Sequence, residues 1–464
     1  MRKTCVVLFI GVVGACGDNF HDHAELVRID PEPQGVNCKY GGVAIETGLD
    51  TNRDGTLEDS EITATAYVCN GAVTVQCRGG TIHEGSVSLQ SAGDFSQLDG
   101  VSCVDGDVLI TNFDEAQLPD LATLDTVTGN VIVAANPLLT SLDGFSHLDQ
   151  VGATVLVEAD GALTSVSALG KLKTFGGISL VADASLADLS GFEPFTDLHS
   201  SSLTISANPA LTSLNGLGNL TAIGGLTVHA NPALASLAAL DQLHTAKAIE
   251  ISGNATLATV AMQGLQTVDT NLLIAQDPAL TTVTLPVLTS LSELLQLGYD
   301  GALANVELPS LVLTGTLLVQ GDPVLTSISA PHMAFATGSV VFAVVPALTS
   351  MDFASLTTIG GTLGLNTLPA LPDLSGFSKV SAIGSDLMVI GCNSFADFQG
   401  LGPITSVPGN LTVSSNPQLT SFAGLGSMTE VGGNLQITNN QALPVSVAQA
   451  FASSLTVLGT TTIN

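Results

Sequence analysis

The 464-residue sequence contains no tryptophan and only three tyrosines, and aromatic residues make up 4% of the chain. Glycoside-cleaving enzymes need paired carboxylates in a cleft, and such clefts are commonly lined with aromatic side chains on which sugar rings stack. The sequence also lacks a G-x-S-x-G motif, a glycine-rich phosphate loop and an H-E-x-x-H motif. These absences argue against an enzyme and leave a polysaccharide-processing β-helix enzyme as an alternative hypothesis.

Basic residues are also scarce. The chain has 10 lysines and arginines against 41 acidic residues, which gives a formal net charge of −31. No arginine follows Arg78, whereas lyases with β-helix folds typically use Arg or Lys to neutralise or deprotonate an acidic sugar. A strongly negative chain repels nucleic acid and anionic lipid surfaces. We therefore exclude nucleic acid as a partner and expect membrane contact through a lipid anchor only.

Long hydrophobic runs are missing after the N-terminal leader, although 45% of the residues are hydrophobic and the mean hydropathy is +0.47. The apolar residues come in twos and threes, separated by Gly, Asn, Asp and Pro. A membrane helix needs roughly 20 apolar residues in succession. The sequence beyond the leader therefore predicts no membrane span, and its apolar residues are expected to fill the interior of a repeat structure.

One phrase recurs from about residue 106 to the C-terminus: apolar-x-apolar, two residues, Asn or Asp, two residues, then Leu. It reads LTISANPAL at 203–211 and LTVSSNPQL at 411–419. A period of 22–25 residues is typical of stacked solenoids, in which each copy is one coil. Indexed on the Asn/Asp position, the copies fall at residues 136, 160, 183, 208, 231, 254, 277, 300, 322, 345, 368, 392, 416 and 440.

Within one coil, alternation predicts that Leu203 and Ile205 face inward and that Thr204 and Ser206 face outward. Asn208 is expected to form the corner, because its short side chain bonds nearby backbone and tolerates unusual dihedral angles. The sequence therefore predicts an all-β fold, a right-handed parallel β-solenoid of about 14 coils. A small N-terminal disulfide and calcium module and a short C-terminal capping helix are expected to accompany it.

The repeat resembles two families. In the leucine-rich repeat the Leu follows the Asn by two residues, whereas here it follows by three. The closer resemblance is to the receptor L-domain repeat, the right-handed parallel β-helix of insulin- and epidermal-growth-factor-receptor ectodomains and of many bacterial surface proteins. The period, the Asn corner, L-T-S-L at 211–214 and Gly-Gly at 224–225 agree over about residues 100–464, although this run exceeds a single L domain. The resemblance implies extracellular binding without catalysis.

The open ends of a β-solenoid expose strand edges that need covers. At the N-terminal end, the disulfide module and a strand at residues 86–89 are expected to provide one. At the C-terminal end, a helix beginning at Pro444 would place Val447, Phe451 and Leu455 on one face, four residues apart. A last strand is predicted at residues 461–463.

The N-terminus has the organisation of an export signal: a short basic start, an apolar run at residues 6–13, and Val-Gly-Ala before Cys16. This resembles the lipobox of bacterial lipoproteins. The resemblance implies a signal peptide at 1–15, lipidation of Cys16 and a location in the cell envelope, in the outer membrane or at the cell surface. An ordinary secretory signal with a fortuitous Cys is the alternative. The polar, acidic residues 16–35 are interpreted as a lipidated tether.

Residues 50–61 read DTNRDGTLEDSE and match the EF-hand loop pattern D-x-[DN]-x-[DN]-G-x5-E. The flanking residues 42–45 and 62–68 alternate like strands, so the resemblance covers the loop alone and implies an isolated, weak Ca²⁺ site. A polar turn without metal is the alternative. The implied Ca²⁺ ligands are Asp50, Asn52, Asp54, Thr56, Glu58 and Glu61.

Four cysteines lie close to this loop, and three pairings of them are formally available. Sequential pairing, Cys38 with Cys69 and Cys77 with Cys103, is preferred because the first bond would tie the two strands beside the loop. Zinc binding is the competing hypothesis, but the spacings lack C-x2-C. Cys392 is interpreted as a small buried residue. We place the calcium module at residues 36–76 and the solenoid at 77–464.

Outward strand positions are the expected binding surface, and in most coils they are polar. In the middle and late coils they become apolar, and contiguous apolar patches commonly mark partner sites. Cover by neighbouring corners, or a register error of one residue, would remove this patch. The predicted partner-binding residues are Leu273, Leu318, Val341, Met388 and Ile390.

Asp277, Asp300 and Asp322 occupy consecutive corners and should stack about 5 Å apart. A cation between them and simple replacement of Asn by Asp both remain open. A templating rod is a further alternative, but its threonine rows are interrupted by alanines.

Taken together, the sequence predicts an exported, lipid-anchored, non-enzymatic scaffold for binding an extracellular protein or ligand, with calcium stabilising its N-terminal module.

Overall fold

The computed structural model describes the backbone of residues 25–32, 42–49, 59–69 and 75–464, and the side chains of 59–62 and 75–464. The chain divides into two compact units, with the boundary between Cys69 and Asn70. The leader, Cys16, Cys38 and the loop residues 50–58 lie outside the described residues.

The first unit contains a three-stranded antiparallel sheet of Glu25–Glu32, Gly42–Leu49 and Ile62–Cys69, with Gly42–Leu49 in the centre. The two strands predicted to flank the calcium loop are therefore present, and the loop connects them as a hairpin. The prediction that residues 16–35 form a tether is wrong for Glu25–Glu32. Its apolar residues favour a strand, and its Pro31 is tolerated because this strand lies at the sheet edge.

The second unit is a parallel β-solenoid, as predicted. Its main sheet stacks 17 strands, one from each coil, and every pair of neighbours is parallel. The strands of this main sheet are Val87–Leu89, Val108–Thr111, Val131–Ala134, Thr154–Glu158, Gly177–Val181, Asp197–Ser206, Ala222–His229, Thr245–Ser252, Asn271–Ala275, Ser290–Gly298, Leu313–Gln320, Val340–Ala343, Leu363–Asn366, Leu387–Ile390, Leu411–Ser414, Leu435–Thr438 and Thr461–Ile463.

The solenoid has about 17 turns rather than 14. The strands Val87–Leu89, Val108–Thr111 and Thr461–Ile463 stack in register although no Asn/Asp phrase follows them. Backbone pairing and an inward apolar row are sufficient to add a coil. Counting the corner residues therefore underestimated the length at both ends.

Shorter strands complete the other sides of the coils. Four pair in an N-terminal sheet: Ile82–Glu84, Cys103–Asp105, Thr126–Val127 and Gln150–Val151. Five form a separate parallel sheet: Thr259–Ala261, Thr282–Thr284, Asn305–Glu307, Ser327–Ser329 and Ser350–Asp352. Three pair near the C-terminus: Ser406–Val407, Glu430–Val431 and Thr456–Val457. Four extend the main sheet: Thr267–Val268, Phe335–Ala336, Thr358–Ile359 and Ala382–Ile383.

Short 3-10 helices form turns in several coils: Ala92–Leu98, Asp143–Phe145, Ser167–Lys171, Ala238–Leu240 and Ser375–Phe377. The C-terminal α-helix Val445–Ser453 confirms the predicted cap. The rings of Phe451 and Phe422 stack with centroids 4.0 Å apart, while Val447 and Leu455 pack against the same core. In the described part of the chain, no helix is long and apolar enough to cross a membrane.

The core is one continuous column, because inward residues of successive coils lie directly above one another. Leu203, Leu226 and Ile249 form such a row, and each is almost completely buried. Parallel stacking about 4.8 Å apart leaves no water between these rows. The apolar content of the sequence is thereby accounted for by the interior.

Glycines in the approach to each coil permit the close stacking. A Cβ built on Gly384 would lie 2.1 Å from the carbonyl oxygen of Gly360 in the preceding coil. A Cβ on Gly426 would meet nothing within 4 Å. The same residue type therefore has a steric role at one position and not at the other.

We expect Gly384→Ala to reduce the free energy of unfolding by roughly 1–3 kcal/mol, the usual range for forcing an extra carbon into a packed site. Gly426→Ala is the matched control and should change it by no more than about 0.5 kcal/mol. Urea denaturation followed by circular dichroism measures both. Equal midpoints for the two variants would contradict the proposed close approach.

Candidate functional site

The outer face of the main sheet carries the predicted partner-binding residues. Leu273, Leu318, Val341, Met388 and Ile390 all lie at outward strand positions and are half-buried. The inward neighbours of these residues are almost fully buried. The register on which the prediction depended is therefore correct, and the side chains remain partly accessible.

Only two of these five residues pair directly across adjacent coils. Leu318 pairs with Val341 across adjacent coils. Gln296 separates Leu273 from Leu318, and Gly364 separates Val341 from Met388. Ile390 lies in the second outward row, beside Asn366. The structure thus reduces the predicted line of apolar residues to one pair across adjacent coils, apart from Met388 and Ile390 on a single strand.

Two further residues enlarge this pair. Leu313 and Phe335 pair with each other on the same two coils and also face outward, and Phe335 is 48% exposed. Sequence analysis missed them because it followed only the two outward positions nearest the corner, whereas Leu313–Gln320 is a longer strand. We call Leu313, Leu318, Phe335 and Val341 together the apolar strip.

Few charges lie near the apolar strip. In the main-sheet strands from Asn271–Ala275 to Leu387–Ile390, the single charged residue is Glu293. It is exposed and lies on the strand next to Leu313–Gln320. Glu250 occupies an outward position beside Leu273. The outer face in this region is therefore apolar with acidic neighbours.

Two shallow depressions lie on the N-terminal coils, with volumes of about 240 Å³ and 400 Å³. Asp143 and Ser146 line both, Asp120 lines the smaller, and Lys171 and Glu193 line the larger. No aromatic side chain lines either one. Carboxylates are thus present without a platform on which a sugar ring could stack.

A hydrogen-bonded trio occurs on the main sheet that sequence analysis did not single out. The Nδ1 of His199 is 2.7 Å from Asp197 Oδ1, and its Nε2 is 3.2 Å from Thr245 Oγ1. The backbone N–H of His199 also donates to Asp197 Oδ1 at 3.0 Å, and this bond, followed by that of the imidazole, holds the pKa of Asp197 below its usual value. The His199 and Asp197 side chains are 62% and 63% exposed, so water competes with every bond that would orient a base. The sequence signal that could have identified this trio is the Asp-x-His pair of Asp197 and His199 in an outward stretch.

The corners differ from the prediction. The left-handed backbone belongs to the residue before each Asn or Asp, for example Ala207 with φ 55° before Asn208. The Asn side chain itself turns inward and is completely buried. The unusual dihedral angle was therefore assigned to the wrong residue, because the polar side chain is needed inside. We call these buried corner residues rungs.

Each Asn or Asp rung accepts a hydrogen bond from the preceding rung. The N–H of Asn208 donates to Asn231 Oδ1 at 3.1 Å, and the N–H of Asp277 donates to Asp300 Oδ1 at 2.8 Å. Backbone N–H groups at the turn would otherwise be buried without a partner, which is costly. The rungs thus connect successive coils through the interior.

Five rungs are aspartates, and burial is the first cause that raises the pKa of each. The pKa rises to about 6 for Asp160, about 8 for Asp183, about 7 for Asp277, about 8 for Asp300 and about 7 for Asp322. Neighbouring carboxylates contribute at Asp183 and Asp300. Among the side chains described, no group of three His, Cys, Asp or Glu residues that could hold a metal ion is found.

Of the implied calcium ligands, Glu61 alone has a described side chain, and it is buried. Asp50, Asn52, Asp54, Thr56 and Glu58 lie outside the described residues. The donor set of carboxylate, amide and carbonyl oxygens is the chemistry that Ca²⁺ prefers. The hairpin strands that bracket residues 50–61 pair as far as Gly48 with Ile62, so they hold the two loop ends together.

The predicted Cys77–Cys103 disulfide is present, with a Cα–Cα distance of 5.6 Å. Cys38, the predicted partner of Cys69, lies outside the described residues, so that pairing stays a prediction. Cys392 is completely buried and occupies a rung, as expected for a small buried residue. Burial raises the pKa of its thiol to about 11.

Comparison with known families finds one match. Residues 25–69 match a family model described as a domain of unknown function (DUF7151). The matched span coincides with the three-stranded antiparallel sheet of the first unit. Comparison with curated proteins finds no similar sequence.

Proposed function

We propose that this protein is an exported, lipid-anchored scaffold that binds a protein partner through the outer face of its solenoid and catalyses no reaction. The apolar strip carries the proposal. Two pairs of outward apolar side chains, Leu313 with Phe335 and Leu318 with Val341, lie on two adjacent coils and stay partly accessible. Soluble proteins place such patches preferentially at sites of association.

The chemistry of the face suggests the kind of partner. Leu313, Leu318, Phe335 and Val341 offer an apolar centre without hydrogen-bonding groups in their side chains, which favours an apolar partner surface. Glu250 and Glu293 lie nearby, and the whole chain has a net charge of −31. A partner with basic residues around its apolar contact would gain favourable long-range attraction. We therefore expect an association that weakens as salt concentration rises.

The anchor and the metal loop complete the proposal. Lipidation of Cys16, implied by the lipobox resemblance, would hold the chain at the cell envelope, in the outer membrane or at the cell surface. Calcium bound by the loop at 50–61 would stabilise the hairpin of the first unit. This arrangement is similar to that of the receptor L-domain family, in which solenoids bind extracellular ligands.

The enzyme alternative has one specific observation in its favour, the Asp197–His199–Thr245 trio. Its order of acid, imidazole and hydroxyl is that of a nucleophilic hydrolase. High exposure weakens the activation of such a hydroxyl, because water screens the charges and competes for the hydrogen bonds. Turnover of ester or polysaccharide substrates that disappears with His199→Ala would contradict the non-enzymatic proposal.

The partner face can be tested by photocrosslinking in the native cell. A benzophenone amino acid replaces Gln320, which faces outward beside Leu318. A second variant carries it at Thr227, outward on a distant coil. We expect one defined crosslinked protein from position 320 and none from position 227. That protein is then identified and purified, and its Kd for the chain is measured.

For the purified partner, Leu318→Ser with Val341→Ser should raise Kd at least about tenfold, since each buried aliphatic side chain contributes roughly 1.5–3 kcal/mol. The matched control is Leu109→Ser with Ile132→Ser, an outward apolar pair on the first coils. It should leave Kd unchanged. Equal effects of the two pairs, or no effect of either, would contradict the apolar strip as the binding site.

Calcium binding can be tested on the full chain by calorimetric titration and by thermal melting. A Kd of about 10⁻⁴–10⁻³ M is expected, as in other extracellular loops. At about 100 times Kd, bound Ca²⁺ should stabilise the first unit by ~2.7 kcal/mol, and chelator should reverse the shift.

Glu61→Gln should remove most of the calcium-dependent melting shift, because the bidentate carboxylate closes the ligand shell. Asp59→Asn is the matched control, with the same change of charge at a loop position outside the ligand set. It should retain the shift. A melting temperature of the first unit that is indifferent to both Ca²⁺ and chelator would contradict the metal assignment.

A further inference from the structure

Asparagine rungs make two bonds between coils. Besides accepting at Oδ1, the Nδ2 of Asn231 donates to the carbonyl oxygen of Ile205 at 2.9 Å, and that of Asn254 donates to Val228 at 3.0 Å. The acceptor is always the carbonyl three residues before the preceding rung. The same bond occurs at Asn136 to Ile110, Asn208 to Leu180, Asn416 to Val389 and Asn440 to Val413.

Aspartate rungs keep the first bond and lack the second. Their Oδ1 atoms accept from the preceding rung at 2.6–3.0 Å. Their Oδ2 atoms are buried and have no hydrogen-bond partner, in Asp160, Asp183, Asp277, Asp300 and Asp322 alike. Oδ2 takes the place of the asparagine Nδ2 and therefore faces, by the same offset, the carbonyls of Val133, Val157, Ile251, Ile274 and Leu297.

Two oxygens without a proton between them repel each other in a buried site, whereas a protonated carboxyl is a donor like the amide. A donor is not obligatory at the rung position, since Val345 and Leu368 occupy it with apolar side chains, but Cys392 provides one. Its Sγ lies 3.8 Å from the carbonyl oxygen of Leu365, which is the equivalent position in its own coil. A thiol can donate weakly at this place, so the site accepts a donor other than an amide.

We propose that the five aspartate rungs are carboxylic acids in the folded protein. Each holds a proton on Oδ2 and donates it to the facing carbonyl of the preceding coil, so the middle of the solenoid is most stable in mildly acidic solution and loosens as the pH rises. The proton exchanges with solvent when the coil opens. No other group is consumed or formed.

The surroundings of the five carboxyls agree with this assignment. Asp183 faces Asp160 and Glu158, and Asp300 lies between Asp277 and Asp322. The other rungs in contact are the asparagines 136, 208 and 254. No Lys, Arg or His is among the groups that act on any of the five carboxyls. No basic side chain therefore compensates the negative charge that these carboxyls would carry when ionised. Protonation is the remaining way to avoid a buried anion.

The direction of the pH effect follows from the pKa values. Each folded-state pKa is raised above the ordinary value of 3.8, to between about 6 and about 8. The stability from these groups is therefore fully present below pH 3.8 and is lost as the pH rises through the folded pKa values. The window in which the solenoid responds is about pH 4–8.

The test compares the full chain with a variant carrying Asp277→Asn, Asp300→Asn and Asp322→Asn. The asparagine amide supplies the missing hydrogen-bond donor and, unlike a carboxyl group, does not titrate. We expect the melting temperature of the wild type to fall by at least about 5 °C between pH 5 and pH 8. The variant should lose most of that fall and should melt higher than the wild type at pH 8.

The matched control carries Asp99→Asn, Asp114→Asn and Asp120→Asn, the same change of net charge at exposed sites. It should melt with the wild-type pH dependence. Infrared spectroscopy of the native protein at pH 6 gives a direct readout, since a protonated carboxyl has a carbonyl band that a carboxylate lacks. The rung variant should lose part of this band, and the control should keep it.

The converse substitution keeps the proposal testable should the triple variant fold poorly. Asn231→Asp places an aspartate rung between two asparagine rungs, Asn208 and Asn254, where the wild type has no acid. It should increase the fall in melting temperature between pH 5 and pH 8. An unchanged pH dependence in both rung variants, or an infrared band that the rung variant retains in full, would overturn the assignment.

Discussion

The structure depends on one constraint: every polar backbone group in the column of stacked coils must find a partner in the coil above or below. The strands meet this requirement through their parallel ladder. The corners cannot, because the backbone turns away from the sheet at residues such as Ala207 and Ala230. The buried rung side chains supply the missing acceptors, and in the asparagine coils also the missing donors. This holds at the asparagine and aspartate corners, whereas Val345 and Leu368 occupy the same position without a polar side chain.

This constraint also determines where function can be located. The interior is filled by apolar rows and rungs, with the Phe342, Phe353 and Phe377 rings in contact through successive coils. It leaves no space for a ligand between the coils. Threonine hydroxyls on the outside, such as those of Thr164 and Thr349, donate to carbonyls of the preceding coil, so they serve the stack as well. What remains for recognition is the outer face, where the apolar strip stands out because its neighbours are polar or glycine.

Much of the fold could be predicted from the sequence because each coil repeats the same local pattern. The period, the inward row of Leu203 and Ile205, the outward row and the capping helix at Val445–Ser453 all follow from spacing alone. Prediction failed where the repeat pattern was absent or fitted more than one structure. Glu25–Glu32 is polar enough to look like a tether, yet it pairs with Gly42–Leu49. The outermost coils carry no Asn phrase and were not counted. Of the apolar strip, the sequence identified Leu318 and Val341 but not Leu313 and Phe335.

The sequence by itself determined the repeat, the parallel stack and the polar residue at most corners, because these are properties of short segments repeated many times. Only the tertiary structure decided which way the corner side chains point and which outward residues touch. Both depend on the alignment of one coil upon the next. Asp300 and Asn231 occupy equivalent positions in their coils. Only the structure shows that Asp300 Oδ2 is buried without a hydrogen-bond partner, whereas Asn231 Nδ2 donates to the carbonyl oxygen of Ile205. In the same way, Leu313 and Phe335 become one surface only when two coils are laid in register.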